Sequence, residues 1–467
     1  MKLLSNLPRK AVALCFFILS QSSFAACLTA EAEPNNSDTR ANTGLCSGTS
    51  VTGSISSSTD YDWYKLDLTA GGVINISLSH ASGIDLDWYL YPATGTYVAS
   101  RSTKNNPEVG SYTAPSAGTY YVRVKNYTGT GSYTLNVTFP SSGGTGGGTG
   151  GGTGGGTACT LPSAVNLGLT GNATPKITAT TGGTVLMGGG TDVDEAIKWM
   201  INKSGGGDFV VIRSTGTNAY NDYIYGLGGV NSVRTLLITS TSQANDACVV
   251  QTIRNAGAVF LAGGNQADYI NYFNGQGVGN ALNYLITTKK APVGGTSAGM
   301  AIMGQYYHPG GAAENSSVLS NPTGVQIGNN FLTNSLLPNL VTEPHFAQRA
   351  RQPRLTSFLA STIYNYGVTW QTVHGISADE ATAVAIDSTG IAKVFGSGNA
   401  NFVKATGAPE TLRAGSSLTW NVGGRALNVY QIAGTSAGTN TFNVSTWVGS
   451  GGTTHYWYVN SGSITIN

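Results

Sequence analysis

A stretch of almost pure glycine and threonine at 141–157, in which Gly-Gly-Gly-Thr recurs, is the feature that most constrains how this chain can fold. Such a segment has no apolar side chains to bury and cannot form a packed core, so it is expected to be a flexible tether. It divides the 467-residue chain into one segment at 26–140 and a longer one at 158–467. We expect each of them to fold as a separate domain.

The first 25 residues have the composition of an export signal. Lys2 and Arg9 contribute to a positive start, 11–19 is a short apolar run, and 23–25 reads Ser-Phe-Ala. Small residues at the first and third of these last positions suit cleavage by a signal peptidase, and the run is too short to span a bilayer. We therefore expect a secreted protein without a membrane span. Two less favoured alternatives are periplasmic retention and a lipid anchor at Cys27.

Charged residues make up only 10% of the chain, and the formal net charge is +2. No long run of Lys and Arg occurs, so the concentrated basic face that binds nucleic acid is not expected. The sequence does not give the oligomeric state, and a homodimer is one possibility.

Four cysteines follow the signal, and an even number in an exported chain favours disulfides. They are Cys27, Cys46, Cys159 and Cys248. Two precede the tether and two follow it, so the simplest pairing is Cys27 with Cys46 and Cys159 with Cys248. None has the spacing of metal ligands.

The first segment predicts a small all-β sandwich, because short alternating runs such as 62–66 and 73–78 are separated by Gly, Ser and Asn turns. It resembles the bacterial pre-peptidase C-terminal domain at 31–36 (Glu-Ala-Glu-Pro-Asn-Asn), 60–64 (Asp-Tyr-Asp-Trp-Tyr) and 118–122 (Gly-Thr-Tyr-Tyr-Val). The resemblance implies an accessory domain of a secreted hydrolase that helps export or attachment.

Aromatic and acidic side chains of this segment have two interpretations. Three aromatic residues form either a ligand platform or part of the core: Trp63, Trp88 and Tyr91. Four aspartates either hold calcium or lie in turns: Asp60, Asp62, Asp85 and Asp87. The simpler interpretation in each case is core and turns.

The second segment alternates strands with helices, which predicts an α/β domain with a largely parallel sheet and helices on both faces. Strands are predicted at 208–213, 233–239 and 258–262, and helices at 247–254 and 281–289. A further helix is expected to begin after Asp192, with Asp192 as its N-cap and Glu195 completing a capping box. Beyond residue 383 the pattern returns to strands and predicts a β-rich end.

A glycine-rich turn between a predicted strand and helix contains Ser297, in the sequence Gly-Gly-Thr-Ser-Ala-Gly at 294–299. Small neighbours allow a sharp turn that presents the serine hydroxyl at the carboxyl edge of the sheet. The amide of Ala298 is then placed to stabilise an oxyanion. A second turn at 263–266 follows another strand, and we expect an amide near Gly264 to be the other donor and Gln266 to hold a substrate amide. The Gly-Gly-Gly turn at 188–190 is interpreted as structural.

The densest charged stretch is 343–354, and it contains Arg349, Arg351 and Arg354 close to His345. Guanidinium groups pair with carboxylates through a planar fork, so this stretch predicts a site for anionic groups. Four other histidines have no such context: His80, His308, His374 and His455.

These motifs, together with 375–383 (Gly-Ile-Ser-Ala-Asp-Glu-Ala-Thr-Ala), resemble peptidase family S51, which contains the cyanophycinases and the aspartyl dipeptidases. The resemblance covers roughly 185–435 and is closer to the cyanophycinases. It implies a fold like the class I glutamine amidotransferases and a triad of Ser297, His345 and Glu380, with no metal or cofactor.

The implied substrate is cyanophycin, a poly-aspartate with arginine attached to each β-carboxyl, cleaved to β-Asp-Arg dipeptides. The three arginines would bind branch carboxylates, and Glu343 would meet a substrate guanidinium. The chain departs from the family pattern at Asn265, where Asp is commoner, and at Glu343-Pro344, which replaces Asp-Gln.

Overall fold

The computed structural model describes residues 27–68, 72–139 and 160–467. The chain divides into two compact units, Met1–Gly151 and Gly152–Asn467. The predicted signal at 1–25, the tether at 141–157 and Cys159 lie outside the described residues. The Cys159–Cys248 disulfide therefore stays a prediction, whereas Cys27 and Cys46 form the expected disulfide.

The first unit is the all-β sandwich that the alternating runs predict. The strands described in it are β1 (Ser50–Ile55), β2 (Tyr61–Leu68), β3 (Gly72–His80), β4 (Asp85–Pro92), β5 (Ala99–Arg101), β6 (Glu108–Ala114), β7 (Gly118–Thr128) and β8 (Gly131–Thr138). One sheet has the order β1-β8-β3-β6 and the other β2-β7-β4-β5, with antiparallel neighbours throughout. Alternate side chains such as Leu66, Leu78 and Val122 are fully buried between the sheets.

The aromatic residues of this unit divide between the core and the surface. Trp88 is fully buried in the core, as expected. Trp63 and Tyr91 instead lie on the outer face of their sheet, half-buried, with ring centroids 5.0 Å apart. They take this face because they alternate with the buried residues of β2 and β4. The expectation that they fill the core is therefore wrong.

The turn interpretation holds for only one of the four aspartates. Asp60 lies in a turn, where its carboxylate accepts hydrogen bonds from the Ser56 amide at 2.6 Å and the Ser56 hydroxyl at 2.7 Å. Asp62, Asp85 and Asp87 lie within β2 and β4. For these three the turn interpretation is wrong.

The second unit contains two sheets. Its described strands are β9 (Asn166–Gly171), β10 (Gly183–Met187), β11 (Asp208–Arg213), β12 (Ser232–Leu237), β13 (Ala258–Leu261), β14 (Val293–Thr296), β15 (Tyr306–Tyr307), β16 (Gly328–Asn329), β17 (Leu340–Glu343), β18 (His374–Ala378), β19 (Thr382–Asp387), β20 (Ile391–Gly396), β21 (Asn399–Ala405), β22 (Leu427–Ala433), β23 (Thr441–Asn443), β24 (Val448–Ser450), β25 (Thr453–Asn460) and β26 (Ser463–Ile466). Its described α-helices are α1 (Asp194–Lys203), α2 (Ala219–Gly226), α3 (Thr241–Ala244), α4 (Ala247–Asn255), α5 (Gln266–Phe273), α6 (Gly277–Tyr284), α7 (Ala298–Ala301) and α8 (Gln352–Tyr366).

The larger sheet has the order β24-β23-β20-β19-β10-β14-β13-β11-β12-β9. Its central strands β10, β14, β13, β11 and β12 are parallel, and antiparallel strands flank them on both sides. Helices cover both faces, as predicted. Ile253 of α4 packs on one face, and Met200 of α1 packs on the other.

The smaller sheet has the order β16-β15-β17-β18-β21-β22-β25-β26 and contains most of the β-rich end. Its strands β17 and β18 are parallel neighbours. Ile376 of β18 and Phe402 of β21 share one core with Leu186 and Val293 of the larger sheet. This shared core fixes the two sheets relative to each other.

Two local predictions differ from the structure. Asp192 does not cap α1, which begins at Asp194 without a side-chain cap, because its carboxylate instead accepts a hydrogen bond from Tyr220. The helix expected over 281–289 continues only to Tyr284, and Leu285–Lys289 forms a π-helical turn. Within the part of the chain that the structure describes, no helix has the length and apolar character needed to cross a membrane.

Candidate active site

Ser297 lies at the carboxyl end of β14, directly between the ends of β10 and β13. Its backbone has φ 53° and ψ −116°, a left-handed conformation that turns the chain sharply into α7. Gly299 is needed here because a Cβ at this position would lie 2.1 Å from the Leu261 carbonyl oxygen. The predicted strand–turn–helix arrangement around the serine is therefore present.

His345 approaches Ser297 from the smaller sheet, two residues after the end of β17. Its amide donates to the Gly188 carbonyl at 2.7 Å, which fixes the loop against the larger sheet. Its Nε2 lies 2.6 Å from the Ser297 Oγ, and its Nδ1 lies 2.7 Å from a carboxylate oxygen of Glu380. The three side chains form one continuous chain of hydrogen bonds.

Glu380 follows β18, the parallel neighbour of β17, and this explains how residues 35 positions apart in the sequence meet. The carboxyl ends of parallel neighbours lie at the same edge of a sheet. The adjacent Asp379 is buried and accepts hydrogen bonds from the Ala347 amide at 3.0 Å and the Asn399 amide at 2.9 Å. Asp379 thereby ties the loop of His345 to the loop of Glu380.

The electrostatic surroundings favour a neutral imidazole. Burial lowers the pKa of His345 below its ordinary value, and the nearby Arg349 and Arg351 act in the same direction. The hydrogen bond that His345 donates to Glu380 raises this pKa and partly opposes the shift. Because Nδ1 donates to the carboxylate, Nε2 is left as the acceptor that faces the serine hydroxyl.

The residues expected to bind an oxyanion lie beside the serine. Ala298 is buried at the start of α7. Gly263 lies next to Ser297, since a Cβ added to this glycine would be 3.4 Å from the serine Cβ. Gly264 follows it, is exposed and has a φ of 154°. Donation by the amides of Gly264 and Ala298 stays a prediction.

Glu343 corrects one expectation of the sequence analysis. It is 1% exposed, and its carboxylate is already paired with Arg351 at 2.8 Å and with Arg354 at 3.0 Å. Burial raises the pKa of Glu343, and the two guanidinium groups oppose that shift. Glu343 therefore meets guanidinium groups of its own chain, and the expectation that it contacts one from the substrate is wrong.

The three arginines accordingly have different surroundings. The side chains of Arg351 and Arg354 are each 14% exposed and held by Glu343. Part of the charge of Arg351 and Arg354 is therefore compensated by Glu343, and their pairing with substrate carboxylates stays a prediction. Arg349 is exposed and lies close enough to lower the pKa of His345.

The polar residues after β13 serve the start of α5. Asn265 caps this helix by accepting from the Ala267 amide at 3.2 Å, which gives the departure from the commoner Asp a structural role. Gln266 is half-buried, and its amide nitrogen lies 3.4 Å from the His308 carbonyl oxygen. Its contact with a substrate amide stays a prediction.

The glycines at 188–190 are the functional positions that the sequence reasoning missed. A Cβ on Gly189 would lie 2.3 Å from His345 Cε1, and one on Gly190 would lie 2.9 Å from the Glu380 Cβ. The turn lets the two side chains approach the serine. The only signal in the sequence was its place after a strand, because the contact itself is long-range.

The fold and site together have the organisation of a serine hydrolase: a hydroxyl at a strained turn, an imidazole and a carboxylate in series at the edge of an α/β sheet. Comparisons with known proteins match two regions of the chain to family models. Residues 222–394 match peptidase family S51, and residues 60–126 match the bacterial pre-peptidase C-terminal domain. Both matches agree with the resemblances that the sequence motifs predict.

Cyanophycinases are among the curated proteins that are similar to this chain. The chain is 26% identical over 181 residues to the cyanophycinase of Nostoc sp., covering 38% of this chain and 55% of that protein. It is 27% identical over 178 residues to that of Synechococcus elongatus, covering 38% and 50%. The matched stretch thus spans about half the length of these relatives. Among solved structures, a putative peptidase E protein from Listeria monocytogenes is 15% identical with a TM-score of 0.30, covering 46% of this chain and 97% of that one.

Proposed function

We propose that the second unit hydrolyses amide bonds of an acidic peptide through an acyl-enzyme on Ser297. The observation that carries this proposal is the hydrogen-bonded series from Ser297 through His345 to Glu380, with contacts of 2.6 and 2.7 Å. A hydroxyl is a poor nucleophile by itself and requires an adjacent base. A buried imidazole with a lowered pKa, oriented by a carboxylate, supplies that base.

In the first step the Ser297 oxygen attacks the substrate carbonyl carbon, and its proton passes to His345 Nε2. The amides of Ala298 and Gly264 hold the resulting oxyanion, an interaction worth about 3–4 kcal/mol for each donor. The tetrahedral intermediate collapses, the C–N bond breaks, and the leaving amine takes the proton from His345. Water then attacks the ester with His345 again as base, which releases the acid and restores the serine. No metal or cofactor is needed for these steps.

The substrate we propose is cyanophycin, cleaved to β-Asp-Arg dipeptides. Similarity to the cyanophycinases of Nostoc sp. and Synechococcus elongatus supports this choice. Arg349 also supports it, because an exposed guanidinium beside the catalytic imidazole suits a branch carboxylate. The remaining recognition would come from Gln266.

A second candidate is hydrolysis of a different acidic peptide by the same site. The arrangement around Glu343 favours it, because Arg351 and Arg354 spend their charge inside the protein. A chain with Glu343-Pro344 in place of Asp-Gln also lacks one expected substrate contact.

Incubation of the full chain with cyanophycin granules, followed by mass analysis of soluble products, tests the proposal. We expect β-Asp-Arg from the wild-type protein and none from Ser297→Ala, which keeps a small residue in the turn. Residual activity above about a hundredth of wild type would exclude Ser297 as the nucleophile. Labelling by a fluorophosphonate without product from cyanophycin would favour the second candidate. Absence of both would favour a catalytically inert polymer-binding protein.

We also propose that the protein acts outside the cytoplasm. The signal-like start, the tether and the pre-peptidase C-terminal domain support export, and the Cys27–Cys46 disulfide suits an oxidising compartment. Fractionation of the native host and sequencing of the mature N-terminus test this. A start at residue 26 is expected, and a lipid-modified Cys27 would show anchoring instead.

A further inference from the structure

Three carboxylates converge at the edge of the β-sandwich, far along the chain from the serine. One oxygen each from Asp85, Asp87 and Glu108 lies within 4.8 Å of the other two. Asp87 is 2% exposed and Glu108 is 1% exposed, so two of the three groups are almost completely removed from water. Carboxylates held this close and this dry repel one another unless a cation or shared protons compensate.

The strand register explains why the three groups meet. Asp85 and Asp87 are two positions apart in β4, so regular strand alternation alone would place both side chains on the same face of their sheet. A register shift between Asp85 and Leu86 in the pairing with β7 re-aims the first of them. Glu108 begins β6 of the other sheet, and the Trp88 indole nitrogen donates to its carbonyl at 2.9 Å. The cluster therefore joins the two layers of the sandwich.

The second observation is that oxygens of this cluster lack hydrogen-bond donors. Thr103 saturates only Oε1 of Glu108, with its amide at 2.8 Å and its hydroxyl at 2.7 Å. Oε2 of Glu108 and Oδ1 of Asp85 are both buried and have no hydrogen-bond partner among the described residues. Buried carboxylate oxygens in native proteins are ordinarily satisfied. A positive ligand that accepts their lone pairs removes the deficit.

We propose that Asp85, Asp87 and Glu108 form a calcium site that cross-links the two sheets of the sandwich. Two ligands each about 2.4 Å from one Ca²⁺ are at most about 4.8 Å apart. Three oxygens that all lie within 4.8 Å of one another can therefore contact the same ion. Calcium takes carboxylate oxygens in irregular geometry and completes its shell with carbonyls and water, whereas Mg²⁺ demands a near-ideal octahedron. The bound ion neutralises the mutual repulsion and locks β4 to β6.

The test must separate this site from a second acidic group on the same unit. Glu31, Glu33 and Asp62 also offer oxygens within 4.8 Å of one another. Glu108→Gln is the diagnostic variant, and Glu33→Gln is the matched control, because it removes the same charge from the same unit. Asp85→Asn is a second diagnostic variant at a half-buried position, in case Glu108→Gln does not fold.

The full chain is stripped with a chelator, and Ca²⁺ is then titrated while bound ions are counted by native mass spectrometry and the unfolding temperature is recorded. We expect Glu108→Gln and Asp85→Asn to bind one Ca²⁺ fewer than wild type and to lose the corresponding calcium-dependent rise in Tm. Tb³⁺ luminescence sensitised by Trp88 should disappear with the same variants and persist in Glu33→Gln.

Two results would overturn the proposal. One is an unchanged ion count in both diagnostic variants, with any loss confined to Glu33→Gln. The other is a wild-type Tm that does not respond to Ca²⁺ while Glu108→Gln alone raises it. That pattern is expected if the three carboxylates share protons, because removal of one charge then simply relieves repulsion.

Discussion

Replacement of Arg351 by methionine tests whether this residue supports the active-site loop or recognises substrate. In the structure its Nη1 lies 2.8 Å from a Glu343 oxygen and donates to the Pro344 carbonyl at 3.1 Å. Both contacts hold the segment that leads directly into His345. Methionine keeps the apolar stem of the side chain and removes only these polar contacts.

The cost follows from the burial of Glu343, which is 1% exposed. Removing one partner of a buried ion pair costs about 3–5 kcal/mol, because the other charge stays buried without compensation. Arg354 remains 3.0 Å from the same Glu343 oxygen and retains part of that compensation. We therefore expect a loss of about 2–3 kcal/mol in the free energy of unfolding, in the range of a single charged hydrogen bond. At roughly 2–4 °C per kcal/mol, the transition of the second unit should fall by about 4–12 °C.

Differential scanning calorimetry of the full chain gives the unfolding temperature, and steady-state kinetics on cyanophycin gives KM. Arg349→Met is the matched control, because that guanidinium is exposed. It should change the unfolding free energy by less than about 0.5 kcal/mol and raise KM. An unchanged unfolding temperature in Arg351→Met together with a raised KM would refute the reasoning, since it would place Arg351 in contact with the substrate.

Four further outcomes are expected. Gly189→Ala should lower kcat by about 100-fold or more, because the added Cβ would lie 2.3 Å from His345 Cε1. Gly228→Ala is the control: Gly228 also has a positive φ, but an added Cβ there has no neighbour within 4 Å, so kcat should be unchanged. The acid limb of kcat/KM should have its midpoint below pH 6.5, because the base must be neutral and burial lowers the pKa of His345. Glu380→Gln should move the midpoint of that limb to a still lower pH and reduce kcat on the order of 10⁴-fold, since it removes the group that raises the pKa of His345 and orients its ring. A wild-type midpoint above pH 6.5 would contradict the assignment of His345 as the base. Asp379→Asn should lower the free energy of unfolding by about 1–3 kcal/mol, measured by chemical denaturation. Each carboxylate oxygen of Asp379 accepts from one backbone N–H, of Ala347 or of Asn399, and the asparagine side chain has only one oxygen to replace them.

Local patterns in the sequence were sufficient to predict the turn that contains Ser297. The glycines around Ser297 are dictated by contacts within one strand–turn–helix unit, so their spacing alone carries the geometry. The alternation of strands and helices likewise predicted the central parallel strands and the helices on both faces. These features depend on neighbours in sequence.

Features that depend on contacts between distant parts of the sequence were harder to predict. The meeting of His345 and Glu380 requires β17 and β18 to be parallel neighbours, a fact that the family motifs implied and that periodicity does not contain. The contact of Gly189 with His345 joins different sheets. The arginine stretch was interpreted as a surface for anions, although its own Glu343 supplies the anion for two of the three side chains. The single carboxylate of Glu343 within that basic stretch was the available signal for an internal ion pair.

The site concentrates unfavourable backbone conformations. Ser297, His345, Ala350 and Ala381 all have φ between 48° and 53°, in a region where side chains other than glycine cost about 1–2 kcal/mol each. A selection for heat resistance alone would therefore drift toward glycine at these positions and relax the loops that hold the hydroxyl and the imidazole in line. Active variants of this protein that unfold at higher temperatures should have gained their stability elsewhere, in the sandwich or in the distant strands. The strained turn that presents the serine lowers the free energy of unfolding and is held in place by the surrounding packing.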